Sequence, residues 1–430
     1  MKFKIAALCM SCILAAGSLA GCGQTENAQS SQSTQTAAKA ENENAESTTV
    51  NIWIAGTGDA DSDKAYKTVL DAYCKEHPDV AYELSYIPWG DYFTKLNTGL
   101  IGAAGPDIFM LGFGQIGAVQ RAGNLMDLTE YITDDIQDDF YENILDICKK
   151  DGGIYALFKP ANRNIFYRKD IAEQNGVTEE ELHITSAEDL AGLVEKMTVR
   201  DDSGNVVTYG MELDPDEEQE LFTFMGMFTE KPELWDGEYK ASFNSEAGIK
   251  AMEFEKELYD TGNVCFQDAT AASSGLTSGV AAMCIGAPTE FMTADSAFPG
   301  QIGCIQNDCS NLLIGDYLAV NAHSKNPEAA VDMFLHMFSK ESLSTFASVA
   351  GQFAGRKSVD STFESINPEF SRIVSNYQRA VSYGTAMHPN FGECIAYVRT
   401  AMETVFSGAD VKQTFEEAAN QWNAVLQTVK

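Results

Sequence analysis

Residues 106–117 read PDIFMLGFGQIG. Four apolar residues stand between a proline-led start and a segment with three glycines in six positions. An apolar run this short, bounded by chain-turning residues, is a buried strand. The glycine-rich loop behind it leads into a helix that ends near Gly123. Working outward, Val50-Asn51-Ile52-Trp53-Ile54 alternates and reads as a strand that ends in Gly56-Thr57-Gly58. Asp63 is placed to cap a helix running to about His77. Val80–Ile87 is a second strand, and Gly90–Gly102 carries Phe93, Leu96, Leu100 and Ile101 at helical spacing. Strand, helix, strand, helix, strand is the pattern of a parallel α/β sheet. Ligands of such sheets bind where the strands deliver their C-terminal ends into loops.

Further along, Ile154–Phe158 and Asn164–Tyr167 read as strands. Asp170–Gly176 and Ser186–Met197 read as helices, the second with Ser186 and Asp189 as a capping box. Ser245–Thr261 is amphipathic. Ala281–Ile285 and Leu318–Asn321 are buried strands. Asn326-Pro327 supplies an N-cap and a first-turn proline to the next helix. From Pro368 onward the pattern is helical, ending with Val411–Val429.

The opening of the chain has a different chemistry. Lys2 and Lys4 precede the apolar run Ile5–Ala16, which is too short for a permanent membrane helix and has the layout of a secretory signal. Leu19-Ala20-Gly21-Cys22 resembles the lipoprotein box of bacteria, which implies a signal over residues 1–21 and a lipid on the Cys22 thiol. Residues 23–49 hold no aromatic residue and no Val, Ile, Leu or Met. Such a segment cannot offset its ordering entropy. Residues 22–49 are therefore expected to form a disordered tether reaching roughly 30 Å. The folded body starts near Thr49 and is held outside the cell membrane.

The 430-residue chain carries a net charge of −34. That disfavours nucleic acid, whose phosphates need a basic face. It repels anionic substrates and suits neutral or cationic ones. Cys9 and Cys12 fall in the signal, and Cys22 in the lipid box. Cys74, Cys148, Cys265, Cys284, Cys304, Cys309 and Cys394 form an odd, scattered set, which is no disulfide framework. Most read as small buried hydrophobes, and Cys304 with Cys309 either forms one local disulfide or stays free. Asp59-x-Asp61-x-Asp63 imitates a calcium loop, but Lys64 and Leu70 stand where Gly and Glu are required. There is no H-E-x-x-H, zinc-finger spacing, G-x-S-x-G elbow or P-loop. No catalytic residue, metal or cofactor is expected.

Six ordered pieces carry a further reading: NIWIAG, PWGDYFTKLNTGLIGAAGPDIFML, GGIYALFKPANRNIFYRKDI, GVAAMCIGAP, LAVNAHSKNPEAAVDMFLHMF and YVRTAMETVFSGADVKQTFEEAANQWNAVL. Together they resemble the extracellular solute-binding lipoproteins of bacterial ABC importers, in the sugar-carrying, maltose-binding-protein-like branch. The resemblance spans about residues 50–430. It implies a periplasmic-binding-protein-like clamshell (type II) of two α/β lobes joined by a hinge of chain crossings near 160–164, 314–318 and 362–366. Lobe 1 would hold residues 50–160 and 318–362, and lobe 2 residues 164–314 and 366–430. The implied function is capture of a sugar or oligosaccharide and delivery to the permease subunits, by a monomer that is not an enzyme. A polyamine or peptide is the alternative solute, and a surface-anchored glycan hydrolase is a more remote reading. The chain departs from the family at Tyr167-Arg168-Lys169-Asp170, at Phe158-Lys159 before Pro160, and at Gly279-Val280.

A sugar site needs planar polar groups for hydroxyls and aromatic rings for apolar faces. Thr57 and Asp59 follow the first strand and either face ligand or solvent. Asp107 either reaches ligand or caps the turn before its strand. Trp89 and Trp235 are stacking candidates with a core role as the alternative, whereas Trp53 and Trp422 read as packing. The resemblance places Phe113 and Gln115 at the cleft, and Asn162 and Arg163 beside the first crossing. It also implies contacts from Glu290 and Phe291, and from Asp316 and Tyr317, where the family often has Gly-Gly-Trp. His388 and Asn390, flanking Pro389, complete the set.

Overall fold

The computed structural model describes residues 47–102, 105–215, 217–267, 273–384 and 387–427. The expected signal, Cys22 and the tether up to residue 46 lie outside the described residues. Two five-stranded sheets organise the body. The first contains β1 (Thr48–Ala55), β2 (Val80–Ile87), β3 (Ile108–Gly112), β4 (Leu157–Pro160) and, from much later in the chain, a strand at Gly315–Val320. The second contains β5 (Asn164–Arg168), β6 (Met211–Leu213), β7 (Val264–Phe266), β8 (Met283–Gly286) and β9 (Ile302–Cys304). The late strand of the first sheet is β10.

The two sheets share one plan. The first runs β2-β1-β3-β10-β4 and the second β7-β6-β8-β5-β9. In each, three parallel strands come first, and an antiparallel strand then separates the third from the last. The antiparallel strand is β10 in one sheet and β5 in the other. β5 follows β4 of the first sheet after three residues, and β10 is reached only after β9 of the second. Strand pairing puts β10 in the first sheet from Gly315, ahead of the residue 318 edge that the resemblance implies.

Local chemistry explains most elements. β1 pairs with β2 along its whole length, Thr48 opposite Val80 through Ala55 opposite Ile87. β3 is buried at every position because β1 and β10 flank it and helices cover it, as all-apolar parallel strands require. The helix Ala60–Glu76 is capped by Asp59, whose carboxylate accepts from Asp61 N (3.2 Å) and Ser62 N (2.9 Å). The cap expected at Asp63 is therefore displaced. Gly56 and Gly58 adopt φ of +112° and +64°, which L side chains resist, and this turns the chain into the helix earlier. Ser186 does cap its helix through Asp189 N, while the Asp189 carboxylate reaches Thr185 N. Asn326 precedes Pro327 as expected, but its amide donates to Thr49 O (3.1 Å) and gives the helix no side-chain cap. The strand expected over Ile154–Phe158 is split, because Gly153–Ile154 pairs back on Lys149–Lys150 while β4 joins the sheet. Ala380–Val381 interrupts the C-terminal helical region by pairing with Asn311–Leu312.

Asp107 is a structural clasp. One oxygen accepts from Asn51 N (2.9 Å) and Asn51 Nδ2 (3.3 Å), and the other from Ser324 Oγ. The same segment is tied to the turn after β10 by Asn321 Nδ2 donating to Pro106 O (2.9 Å). All seven described cysteines are free thiols, Cys304 and Cys309 included.

Trp235, Trp422 and His388 lie in an aromatic box of the core. Nδ1 of His388 accepts from Asn390 N (2.9 Å), and Nε2 faces the Cys394 thiol at 3.7 Å. Burial pushes the imidazole down to about 4.

Two outcomes follow. Asp107→Ala strands buried donors on two segments and is expected to cost about 1–3 kcal/mol in urea unfolding; an unchanged midpoint would remove the clasp. His388 is held neutral, so protons bind the unfolded chain more readily. Stability is full above about pH 6.5 and falls as pH drops toward about 4, by on the order of 3 kcal/mol. In His388→Leu this part of the pH dependence disappears, which paired melts at pH 7 and pH 4.5 would read.

Candidate functional site

The C-terminal ends of the parallel strands in each sheet lie at the edge where the chain crosses from one sheet to the other. In the first sheet, β1 ends before Gly56-Thr57, β2 before Trp89 and β3 before the loop Phe113–Gln115. β10 runs the opposite way, so its first residues, Gly315 and Asp316, reach the same edge. In the second sheet, β6, β7 and β8 end before Asp214, Gln267 and Ala287, and the antiparallel β5 brings Arg163 to that edge. This is where open α/β sheets bind ligands.

A cavity of ≈ 240 Å³ opens on the second sheet's edge. β6 contributes Glu212, and Asp214 follows it. Glu217 and Glu220 come from the start of the helix Glu218–Met225. Gln267 extends β7, and Ser274 stands near Glu290. Arg163 reaches in from the crossing. Glu212 Oε1 accepts from Gly275 N (2.7 Å), and Glu220 Oε2 from Asp214 N (2.9 Å). Glu290 Oε1 accepts from Ser274 Oγ and from Thr277 Oγ1 (2.9 Å). Burial raises Glu212 and Glu220 above the usual carboxylate range, and Glu255 behind Glu220 raises it further. Glu217 is pushed up to about 7 by burial and then by Glu218, against the pull of Arg399 and Arg163.

The first sheet contributes a second charged group. Lys159 of β4 stands opposite Asp316 of β10 in register. Burial brings Lys159 down to about 7 and Asp316 up to about 7, each opposed by the other's charge, and Arg163 also favours ionised Asp316. The Lys159 ammonium donates to Gln352 Oε1 (2.9 Å) and lies 3.5 Å from the Phe346 ring centroid.

Trp89 is 44 % exposed, backed by Tyr92 and Phe93, and keeps a free ring surface. Thr57 and Asp59 are exposed, with Asp59 engaged as a helix cap. Gln115 folds back over Gly112, where a Cβ would come 2.7 Å from its Oε1. Phe113 is buried in a ring cluster with Phe158, Tyr317, Tyr383 and Phe391. Tyr317 is fully buried and donates to Ile147 O (3.1 Å), so it offers no platform. Phe291 packs between Phe166 and Phe370. Trp235 is core, as is His388, and Asn390 heads the helix Phe391–Phe406. Asn162 is fully buried in the crossing, with Oδ1 unpartnered among the described residues. Of the expected set, only Arg163 and Glu290 line the cavity. Sequence reasoning missed Glu212, Asp214, Glu217, Glu220, Gln267 and Ser274. The four acids had a signal in the acid-rich run ELDPDEEQE at 212–220, which starts inside β6.

Comparison with known proteins agrees with this architecture. The family described as "Bacterial extracellular solute-binding protein" matches residues 57–342, about two thirds of the chain. A search of curated proteins finds no match. Among solved structures, the chain is similar to an ABC transporter solute-binding protein from Thermotoga lettingae bound with α-D-tagatose. It shares 20 % identity with that protein at a TM-score of 0.75, covering 88 % of this chain and 100 % of that one. The sugar-binding protein MalE of Xanthomonas citri matches at TM-score 0.77 and 16 % identity, over 89 % and 98 %. The GacH receptor of Streptomyces glaucescens, solved unliganded and with acarbose, matches at 0.75 and 20 %, over 89 % and 100 %. The fold is the two-lobed α/β fold of the MalE type. The chain belongs to the bacterial extracellular solute-binding proteins, a family that works outside the cytoplasm.

Proposed function

We propose that this protein captures a sugar or oligosaccharide outside the cell and delivers it to the membrane subunits of an ABC importer. The observation that carries this reading is the polar cavity at the strand ends of the second sheet, beside the crossing that contains Arg163. The tagatose and acarbose complexes of the similar structures support the solute class. The protein acts by binding, without catalysis, as a monomer. Residues 48–160 with 315–362 form one lobe and residues 164–314 with 366–430 the other, and they close by a hinge at the crossings. Arg163 and Glu290 hold the solute's polar groups from one lobe. Trp89, Gln115 and Asp316 meet it from the other, with Trp89 as the stacking ring. Residues 1–21 are a secretory signal, Cys22 carries the lipid, and the segment that ends before β1 at Thr48 tethers the body beside its permease.

Thermal unfolding against a panel of mono- and oligosaccharides tests the function. A ligand at about 100 times its Kd adds roughly 2.7 kcal/mol, and Trp89→Ala is expected to weaken that ligand about tenfold. No shift with any saccharide would reject the sugar reading. Cys22→Ala tests the anchor: the variant should leave the membrane fraction, and its retention there would reject lipidation.

A further inference from the structure

We infer that the solute bound in this cavity carries a protonated amine, as an amino sugar or a short amine does. The inference rests on the reading of the cavity as the solute site and deepens it. Glu212, Asp214, Glu217, Glu220 and Glu290 all line the ≈ 240 Å³ space, against one base, Arg163. Glu212 is 8 % exposed and Glu220 7 %. Each has one oxygen committed to a backbone N–H. Among the described residues nothing donates to Glu212 Oε2 or Glu220 Oε1. Each of these two mostly buried residues therefore keeps one carboxyl oxygen open toward the cavity.

Glu255 deepens the imbalance. It is fully buried, and neither of its oxygens has a hydrogen-bond partner among the described residues. Its charge acts on Glu220, and Asp214 acts on it in turn. Arg399 meets Glu217 at 3.4 Å, and the one base on the cavity wall, Arg163, is shared. Its guanidinium also acts on Asp316 and donates to Ala161 O (3.4 Å). Burial disfavours the ionised form of these carboxyls, and an ammonium ligand supplies a counter-charge together with N–H donors for the open oxygens.

Two alternatives fit less well. Among the described residues no three acidic, His or Cys groups converge as a metal site would need, so the charge is spread along the wall. No aromatic side chain lines this cavity itself, so stacking on a neutral sugar would fall to Trp89 of the other lobe alone. A neutral sugar's hydroxyls would also bring no counter-charge to these carboxyls.

The test compares isosteric probes on the detergent-solubilised full-length protein by calorimetry: glucosamine, glucose, N-acetylglucosamine and putrescine. The expected result is binding of glucosamine, putrescine or both, with glucose and N-acetylglucosamine at least about tenfold weaker. Glu212→Gln and Glu290→Gln keep the oxygen that accepts the internal hydrogen bond and remove the charge. Each should weaken the amine about tenfold without changing the melting temperature of the free protein by more than a few degrees. Equal binding of glucose and glucosamine would overturn the amine and leave the sugar reading standing. Amine binding that ignores both substitutions would place it elsewhere and overturn the assignment. Silence from all four probes, and from the oligosaccharide panel, would overturn both readings.

Discussion

The architecture depends on the short connections that carry the chain between sheets. Only residues 161–163 separate β4 from β5, too few to travel far from either sheet edge. The return passes through 313–314 into β10, and the two connections are hydrogen-bonded to each other, Ala161 N to Ile314 O at 2.7 Å. Asn311 Nδ2 donates to Arg163 O, and Leu313 N to Val381 O. Gly315 is required where the strands meet, because a Cβ there would lie 2.1 Å from Lys159 O. Each connecting strand enters its new sheet antiparallel, so its first residues arrive at the edge where the parallel strands end. The topology thereby brings loop residues from both sheets to one seam.

That seam concentrates charge in a region of low dielectric. Lys159 and Asp316 are drawn toward neutrality from opposite sides, while Glu212, Glu217 and Glu220 are raised together. Burial makes the ionised forms of these groups costly, and a bound solute that pairs with them can offset part of that cost. The glycine-rich loop plays the complementary packing role. A Cβ at Gly114 would come 2.1 Å from Phe391 Cδ1, and one at Gly117 2.2 Å from Met387 O. Small residues here let the loop backbone pass against the segment that leads into the helix Phe391–Phe406, with Phe113 inserted among its rings.

Much of the first sheet was legible in the sequence, because one local property decided each element. Ile108–Leu111 is uniformly apolar and buried on both sides. Val50–Ile54 alternates and shows alternating burial. Side-chain roles were less legible. Asp107 remained ambiguous between ligand and framework until Ser324, far along the chain, supplied its second partner. Trp235 and Tyr317 looked like platforms by residue type, yet each lies inside a packed ring cluster. Phe291 and His388 were similarly absorbed into the core.

The sequence by itself determined the α/β class, the order of the first strands and helices, the acidic character and the family resemblance. The class, the element order and the acidity follow from periodicity, chain-turning residues and composition, which are properties of neighbours along the chain, whereas the resemblance rests on the order of six pieces of sequence. Only the tertiary structure decided which acids meet. Glu212 and Glu290 lie 78 positions apart, one in β6 and the other in the helix Pro288–Ala297 behind β8, and nothing in the sequence between them says that they meet. Pairing β6 with β8 brings them to one cavity, and burial there turns ordinary carboxylates into a site.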